Sequence, residues 1–283
     1  MKQICILLVA ICAIAFTACS KDDKEDDPIL EDQVTILLSP AGDSTCSLLL
    51  EPWFGSFWII DWGDGTIQNN SDSPFSARTH KYAQYGDYEI TAKGARLTDL
   101  DIYAGVNTIK FIYIPAGSSL KSMDITSCWR VTAIRLENCQ NLETLYCGSR
   151  WEEESPQLDL KIYNCPNLQV LSCDRRNLTS LNVKKFTNLQ FLDCGENQLT
   201  SLEVSGCTHL KELYCDGNQL TDLYIKGCTN LQKLDCRGNK FTQEAVNNLC
   251  YSLPDTYGTL WIDTDKWDTT IAKMKGWTVS NKY

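Results

Sequence analysis

Three consecutive 21-residue segments are near copies of one another: LQVLSCDRRNLTSLNVKKFTN from Leu168, LQFLDCGENQLTSLEVSGCTH from Leu189 and LKELYCDGNQLTDLYIKGCTN from Leu210. A fourth, LQKLDCRGNKFT, begins at Leu231. A fixed period this short excludes most globular topologies, because no unit can bury its apolar residues except against its neighbours. The chain is therefore expected to wind into a solenoid. Weaker copies of 23, 22 and 26 residues start at Leu97, Leu120 and Leu142, making about seven coils. Each unit is internally doubled: Leu189, Leu192, Cys194 and Asn197 are echoed by Leu199, Leu202, Val204 and Cys207. Two strand-like stretches per coil are expected, since residues alternate across a strand.

The repeat also sorts the cysteines, of which the chain has 15 against 2 histidines. Cys147, Cys173, Cys194, Cys215 and Cys236 share one column; Cys139, Cys165, Cys207 and Cys228 share another, where Phe186 substitutes. A column that accepts Phe selects an apolar filler, and free cysteine behaves as a small buried hydrophobe. The competing uses are inter-coil disulfides and a metal ladder. Parallel side-chain vectors on stacked strands oppose the disulfide torsion, and no C-x-x-C pair occurs, so buried thiols are expected.

Asn197, Asn218 and Asn239 each follow the first cysteine column by three, whereas Asn177 is displaced by one with Arg176 in its place. The pattern L-x-x-L-x-C-x-x-N-x-L resembles the leucine-rich repeat with Cys for the third Leu. That resemblance places the asparagine inside the turn, bonding backbone groups the bend leaves unpaired, and allows Cys128 in the asparagine column. It also implies a binding role.

Before the repeats, VTILL, CSLLL, FWIIDW and DYEITA read as strands, with Asp64-Gly65 as a tight turn. Asp61-Trp62-Gly63-Asp64-Gly65-Thr66, with His80-Lys81-Tyr82 and Tyr85-Gly86-Asp87-Tyr88, resembles the PKD-type immunoglobulin-like domain, although the segment is short for that family. Asp61 and Asp64 suit turn capping better than calcium binding, as no third acid follows at ligand spacing. His80 reads as structural, with no nucleophile or orienting acid tied to it by a motif. After the repeats, Thr242 can cap a helix carrying Ala245, Val246, Leu249 and Leu253, followed by a strand (258–263), a short helix (268–275) and a last strand (276–279).

Lys2, the apolar run Ile4 to Phe16, and Thr17-Ala18-Cys19 resemble a lipoprotein signal and lipobox. The resemblance implies acylation of Cys19, a stable membrane anchor and, because Ser20 follows, the outer membrane. The segment from Lys21 on, with seven acids and two lysines in residues 21–32, resembles the surface-export signal of some lipoproteins of gut anaerobes and would also serve as a solvated tether.

The expected fold class is mainly β. Its parts are a lipoprotein signal peptide (1–18), an acidic flexible tether (19–32), a small Ig/PKD-like β-sandwich (33–94), a leucine-rich-repeat solenoid of about seven coils (95–241) and an α/β C-terminal cap (242–283). A net charge of −10 argues against nucleic acid as partner. No catalytic motif is present, and neither metal nor cofactor is expected; His209 stands at a coil junction where its equivalents are Asn167, Asn188 and Asn230, a solvated loop position. A carboxylate pair for glycoside hydrolysis cannot be read from spacing in a solenoid.

Function is expected on the outward strand positions. Tyr146, Phe191 and Tyr214 are candidate anchors, with Asp193 and Asp235 beside them, and Trp151 lies in an acidic insertion that is either a contact loop or packing. The expected function is recognition or adhesion at the cell surface, with a protein or glycan ligand; the alternative is a glycan-binding accessory of a polysaccharide-uptake system.

Overall fold

A computed structural model describes residues 32–39, 45–52, 58–69, 78–84, 86–94, 97–103, 108–128, 130–150 and 155–281. The signal peptide, Cys19, almost all of the tether and Trp151 lie outside the described residues.

The N-terminal strands are β1 (Asp32–Ser39), β2 (Thr45–Pro52), β3 (Trp58–Asp61), β4 (Ile67–Asn69), β5 (Arg78–Lys81) and β6 (Tyr88–Gly94). The first three coils each hold two strands: β7 (Leu97–Tyr103) and β8 (Thr108–Ile114), β9 (Ser122–Asp124) and β10 (Ala133–Glu137), β11 (Thr144–Tyr146) and β12 (Asp159–Tyr163). The next four hold one each: β13 (Val170–Ser172), β14 (Phe191–Asp193), β15 (Glu212–Tyr214) and β16 (Lys233–Asp235). The cap comprises α1 (Gln243–Ser252), β17 (Gly258–Trp261), α2 (Thr270–Met274) and β18 (Trp277–Ser280), in the order the sequence implies. Thr242 Oγ1 accepts from Ala245 N–H at 3.1 Å, fixing the start of α1.

These strands form two sheets. One has seven strands in the order β12-β10-β8-β1-β6-β3-β4; the other has eleven, β18-β17-β16-β15-β14-β13-β11-β9-β7-β2-β5. The coils stack in parallel, in register at equivalent repeat positions such as Leu171, Leu192, Leu213 and Leu234. The cap adds two further parallel rungs to the seven that the repeats supply. The N-terminal strands continue both sheets: β1 lies antiparallel to β8, and β2 antiparallel to β7. Both sheets thus run unbroken across residue 94, and one buried cluster extends from Val34 to Trp277.

The expected second strand occurs only where its sequence is long and β-rich, as in IKFIYI (109–114) and DLKIY (159–163). In the 21-residue units it shrinks to turns and a single bridge between Glu203 and Tyr224.

The eleven cysteines whose side chains are described, from Cys128 to Cys250, are buried free thiols. They also donate. Cys215 Sγ bonds the Asp235 carbonyl of the next coil at 3.3 Å, and Cys228 Sγ bonds the Val204 carbonyl of the preceding one at 3.2 Å. Burial lifts the column thiols Cys173, Cys194, Cys215 and Cys236 well above the ordinary range, so they stay protonated.

The asparagine column forms a ladder through the turns. Asn218 Oδ1 accepts from Leu199 N–H at 2.9 Å, while its Nδ2 donates to the carbonyls of Cys194, Cys215 and Asp216. Asn197 and Asn239 repeat the arrangement. The unit from Leu142 has Arg150 at this position, exposed on the surface. Arg176 of the following coil fills the gap: wholly buried, it donates from Nε to the Cys147 carbonyl, from Nη2 to Gly148 at 3.0 Å and from Nη1 to Cys128 at 3.2 Å. Cys147 and Gly148 occupy the places of Cys194 and Gly195, which Asn197 bonds in its own coil. The arginine supplies the contacts of a missing asparagine from one coil away.

A second ladder runs along the coil junctions. Asn167, Asn188 and Asn230 each donate from Nδ2 to a carbonyl of the preceding coil, at 2.7, 3.0 and 3.0 Å. His209 takes the same place with Nδ1 at 2.9 Å from the Thr187 carbonyl, so this loop position is also a link between coils.

Candidate functional site: the outer face of the long sheet

Each three-residue strand of the long sheet turns its central leucine inward and its first and third residues outward, as alternation requires. The third positions, from β11 to β17, are Tyr146, Ser172, Asp193, Tyr214, Asp235 and Trp261. Among the first positions is Phe191, paired in register with Glu212.

The rings gather at one end of this face. Phe191 and Tyr214 have centroids 5.6 Å apart with planes inclined at 42°, and Tyr214 and Trp261 are 6.5 Å apart at 26°. The Tyr214 hydroxyl donates to Glu212 Oε2 at 3.0 Å, and Glu212 in turn holds Lys233 at 2.9 Å. Tyr146, the most exposed of the candidate anchors at 38% of its surface, stands apart: β13 separates its strand from β14 and offers Ser172 at the corresponding position. Trp261 was not among the candidates. Its strand is no copy of the repeat, and only its register against Asp235 reveals that it continues the column.

The carboxylates differ more than their common column suggests. Asp235, expected as an exposed contact, has 0% of its surface accessible. Arg237 folds back over it, with Nε 2.9 Å from Oδ1 and Nη2 against Oδ2, and the flanking Tyr214 and Trp261 rings stand in contact above its strand. Asp235 therefore buttresses the face and presents nothing to a ligand.

Asp193 is half-buried and accepts from Gly195 N–H at 3.1 Å. Burial pushes its carboxyl up to about 7, the neighbouring Asp174 and Asp216 adding to the shift. Asp216 rises to about 6, again chiefly through burial, with Asp235 and Glu196 adding and Arg237 opposing. Both carboxyls thus titrate near neutrality.

In the N-terminal module, Gly63 N–H bonds Asp61 Oδ1 at 2.9 Å and Thr66 N–H bonds Asp64 Oδ1 at 3.0 Å, the capping use of both aspartates. An acid is in fact tied to His80: its Nε2 lies 2.6 Å from Asp64 Oδ2, while its ring stacks on Trp62 at 5.1 Å. The contact crosses the turn and has no motif signature.

Residues 187–227 and 208–251 match the family model described as leucine-rich repeats, in two overlapping copies. No curated protein matches the chain. Among solved structures, a leucine-rich-repeat protein of Leptospira interrogans is 18% identical, the match covering 51% of this chain and 55% of that one with a TM-score of 0.30. The chain spans about half the length of that protein.

Proposed function

We propose that this chain is a non-enzymatic recognition protein, lipid-anchored at a bacterial outer membrane, that binds a protein ligand through the outer face of its long sheet. The observation that carries the proposal is the row of rings Phe191, Tyr214 and Trp261, held on a hydrogen-bonded ladder beside half-buried carboxylates. Aromatic side chains on a rigid support are the usual source of interface energy, because they bury much area at small entropic cost. The leucine-rich repeats of residues 187–251 support a protein as the ligand.

The sequence around Cys19 supports the anchor, and Asp61 to Thr66 support a PKD-type module at the N-terminal end. Near-parallel rings such as Tyr214 and Trp261 also suit the face of a sugar, which keeps a glycan as the second reading.

A photo-crosslinking residue in place of Tyr214, activated on intact cells, tests the proposal. A protein adduct that is lost when Phe191→Ala is added is the expected result. A glycan adduct would favour the second reading, and no adduct at all would remove the face from consideration. Cys19→Ala should separately release the protein from the membrane fraction.

A further inference from the structure

The period carries one more column, which the ring face does not use. Leu178-Thr179-Ser180-Leu181, Leu199-Thr200-Ser201-Leu202 and Leu220-Thr221-Asp222-Leu223 open the second stretch of three successive coils. Their leucines turn toward the core, and their two middle residues are exposed in every copy. Earlier coils place a paired strand on this side, whereas here the pairing lapses to the one bridge between Glu203 and Tyr224. Ser180, Thr200 and Ser201 make no hydrogen bond through main chain or side chain among the described residues.

Where the ladder lapses, the surface sinks. A hollow of about 380 Å³ lies across the three coils, with buried Leu202 beneath it, Thr200, Ser201, Thr221 and Asp222 along it, and Tyr224, 64% exposed, at its side. A second hollow of about 320 Å³ continues it toward β12, from Thr179 and Ser180 to Gln157 and Asp159. The two adjoin at the peptide between Ser180 and Leu181. Charge along this trough is matched within it: Lys184 holds Glu203 at 2.5 Å, and Lys161 holds Asp159 at 2.7 Å. Asp222 is bonded only by the Thr221 hydroxyl, at 3.5 Å, among the described residues.

We infer that this trough binds a neutral carbohydrate chain, at a site separate from the ring face proposed above and independent of what that face binds. A sugar ring offers hydroxyls that both donate and accept, and an apolar C–H face. The free hydroxyls and main-chain groups of Thr200 and Ser201 answer the first, and the Asp222 carboxylate can accept from two neighbouring sugar hydroxyls. The exposed Tyr224 ring answers the second. A chain of sugars fits better than a single one, because the exposed polar pair recurs from coil to coil and the two hollows run on from one another. Matched ion pairs leave nothing for a charged polymer to neutralise, and an anionic one would meet Asp222 as a penalty. A peptide would need pockets for alternate apolar side chains, where this trough offers hydroxyls.

Native electrophoresis of the full chain through gels containing glucan, mannan, galactan or xylan is the test, with polygalacturonate and chitosan as charged comparison arms. At least one neutral polysaccharide should retard the protein, and neither charged one should. Tyr224→Ala should raise the polysaccharide concentration needed about tenfold. Ser201→Arg, which fills the hollow from an exposed position, should abolish the retardation, and both variants should keep the thermal midpoint of the parent. Phe191→Ala with Tyr214→Ala should leave the retardation unchanged. The inference is overturned if none of the four neutral polysaccharides retards the chain, if only a charged one does, or if the Tyr224 and Ser201 variants are retarded like the parent. Release of the retained protein by a glycine-serine peptide would overturn it too, by making the trough a peptide groove. The two sites fail separately. Loss of retardation in the Phe191, Tyr214 double variant alone would move sugar binding to the ring face, so that this inference falls and the glycan reading of that face stands; a missing protein adduct at Tyr214 removes the protein-binding role and leaves the trough as it is.

Discussion

At the scale of single residues, the fold is held by polar side chains doing backbone work inside an apolar stack. Asn218 makes one accepted and three donated bonds to main-chain groups that no sheet pairing reaches. Asn218→Ala leaves the Leu199 N–H unpaired and takes one of two partners from each of the Cys194, Cys215 and Asp216 carbonyls, and should cost about 2 kcal/mol in urea unfolding. Arg176→Met keeps the volume but strands the carbonyls of Cys147 and Gly148 and leaves Cys128 only its bond from Val131 N–H, with an expected loss of about 3 kcal/mol by the same measurement. Asp193 gives a prediction with a sign. Its carboxyl, raised to about 7 in the fold from the 3.8 of a free aspartate, favours the folded state when protonated, so this contribution is complete below the unfolded value and is lost as pH rises through the folded one. Asp193→Asn should therefore flatten the decline in stability between about pH 4 and pH 7 and leave the variant more stable by about 2 kcal/mol at alkaline pH. The thiols make a chemical counterpart: the eleven cysteines from Cys128 to Cys250 should resist a thiol reagent in the native protein and react in full after denaturation without reductant. What was legible at this scale is whatever the period repeats, namely the leucines, both cysteine columns and the asparagines. Arg176 was legible only as an irregularity, because a long side chain bonding 48 residues back leaves no periodic trace. The burial of Asp235 was hidden likewise: alternation points it outward, and only Arg237, two residues on, closes over it.

At the scale of elements, strand length follows unit length. The units of 22 to 26 residues have room for a second strand of alternating β-branched and aromatic residues, whereas the 21-residue units turn instead. The seven-stranded sheet accordingly stops at β12 while the eleven-stranded one continues to β18. The cap was readable in detail because each of its elements carries its own local signal, such as Thr242 before α1 and Pro254 after it. Thr242→Ala removes the bond to Ala245 N–H and should lower stability by about 1 kcal/mol, readable as a fall in thermal midpoint. The site was less legible than the cap. Phe191 and Tyr214 stood out because they sit on repeat copies, and Trp261 did not because it belongs to an element outside the period.

At the scale of the whole molecule, the N-terminal module and the solenoid share both sheets and one core. A solenoid must have its first rung covered, since open strand edges recruit other chains. Here β1 covers β8 and β2 covers β7. Removal of residues 33–94 should bare both edges and make the chain aggregate more readily than the intact one, measurable by light scattering, while the intact chain should unfold in one calorimetric transition that includes the module. The sharing of sheets also decides how the protein bears load. Asp32 leads directly into β1, which is bonded on one side to β6 over the span from Asp32 to Leu38 and on the other to β8 from Thr35 to Ser39. Tension arriving along the chain from the N-terminal side runs parallel to that strand and must shear two ladders together, whereas an edge strand would peel away one bond at a time.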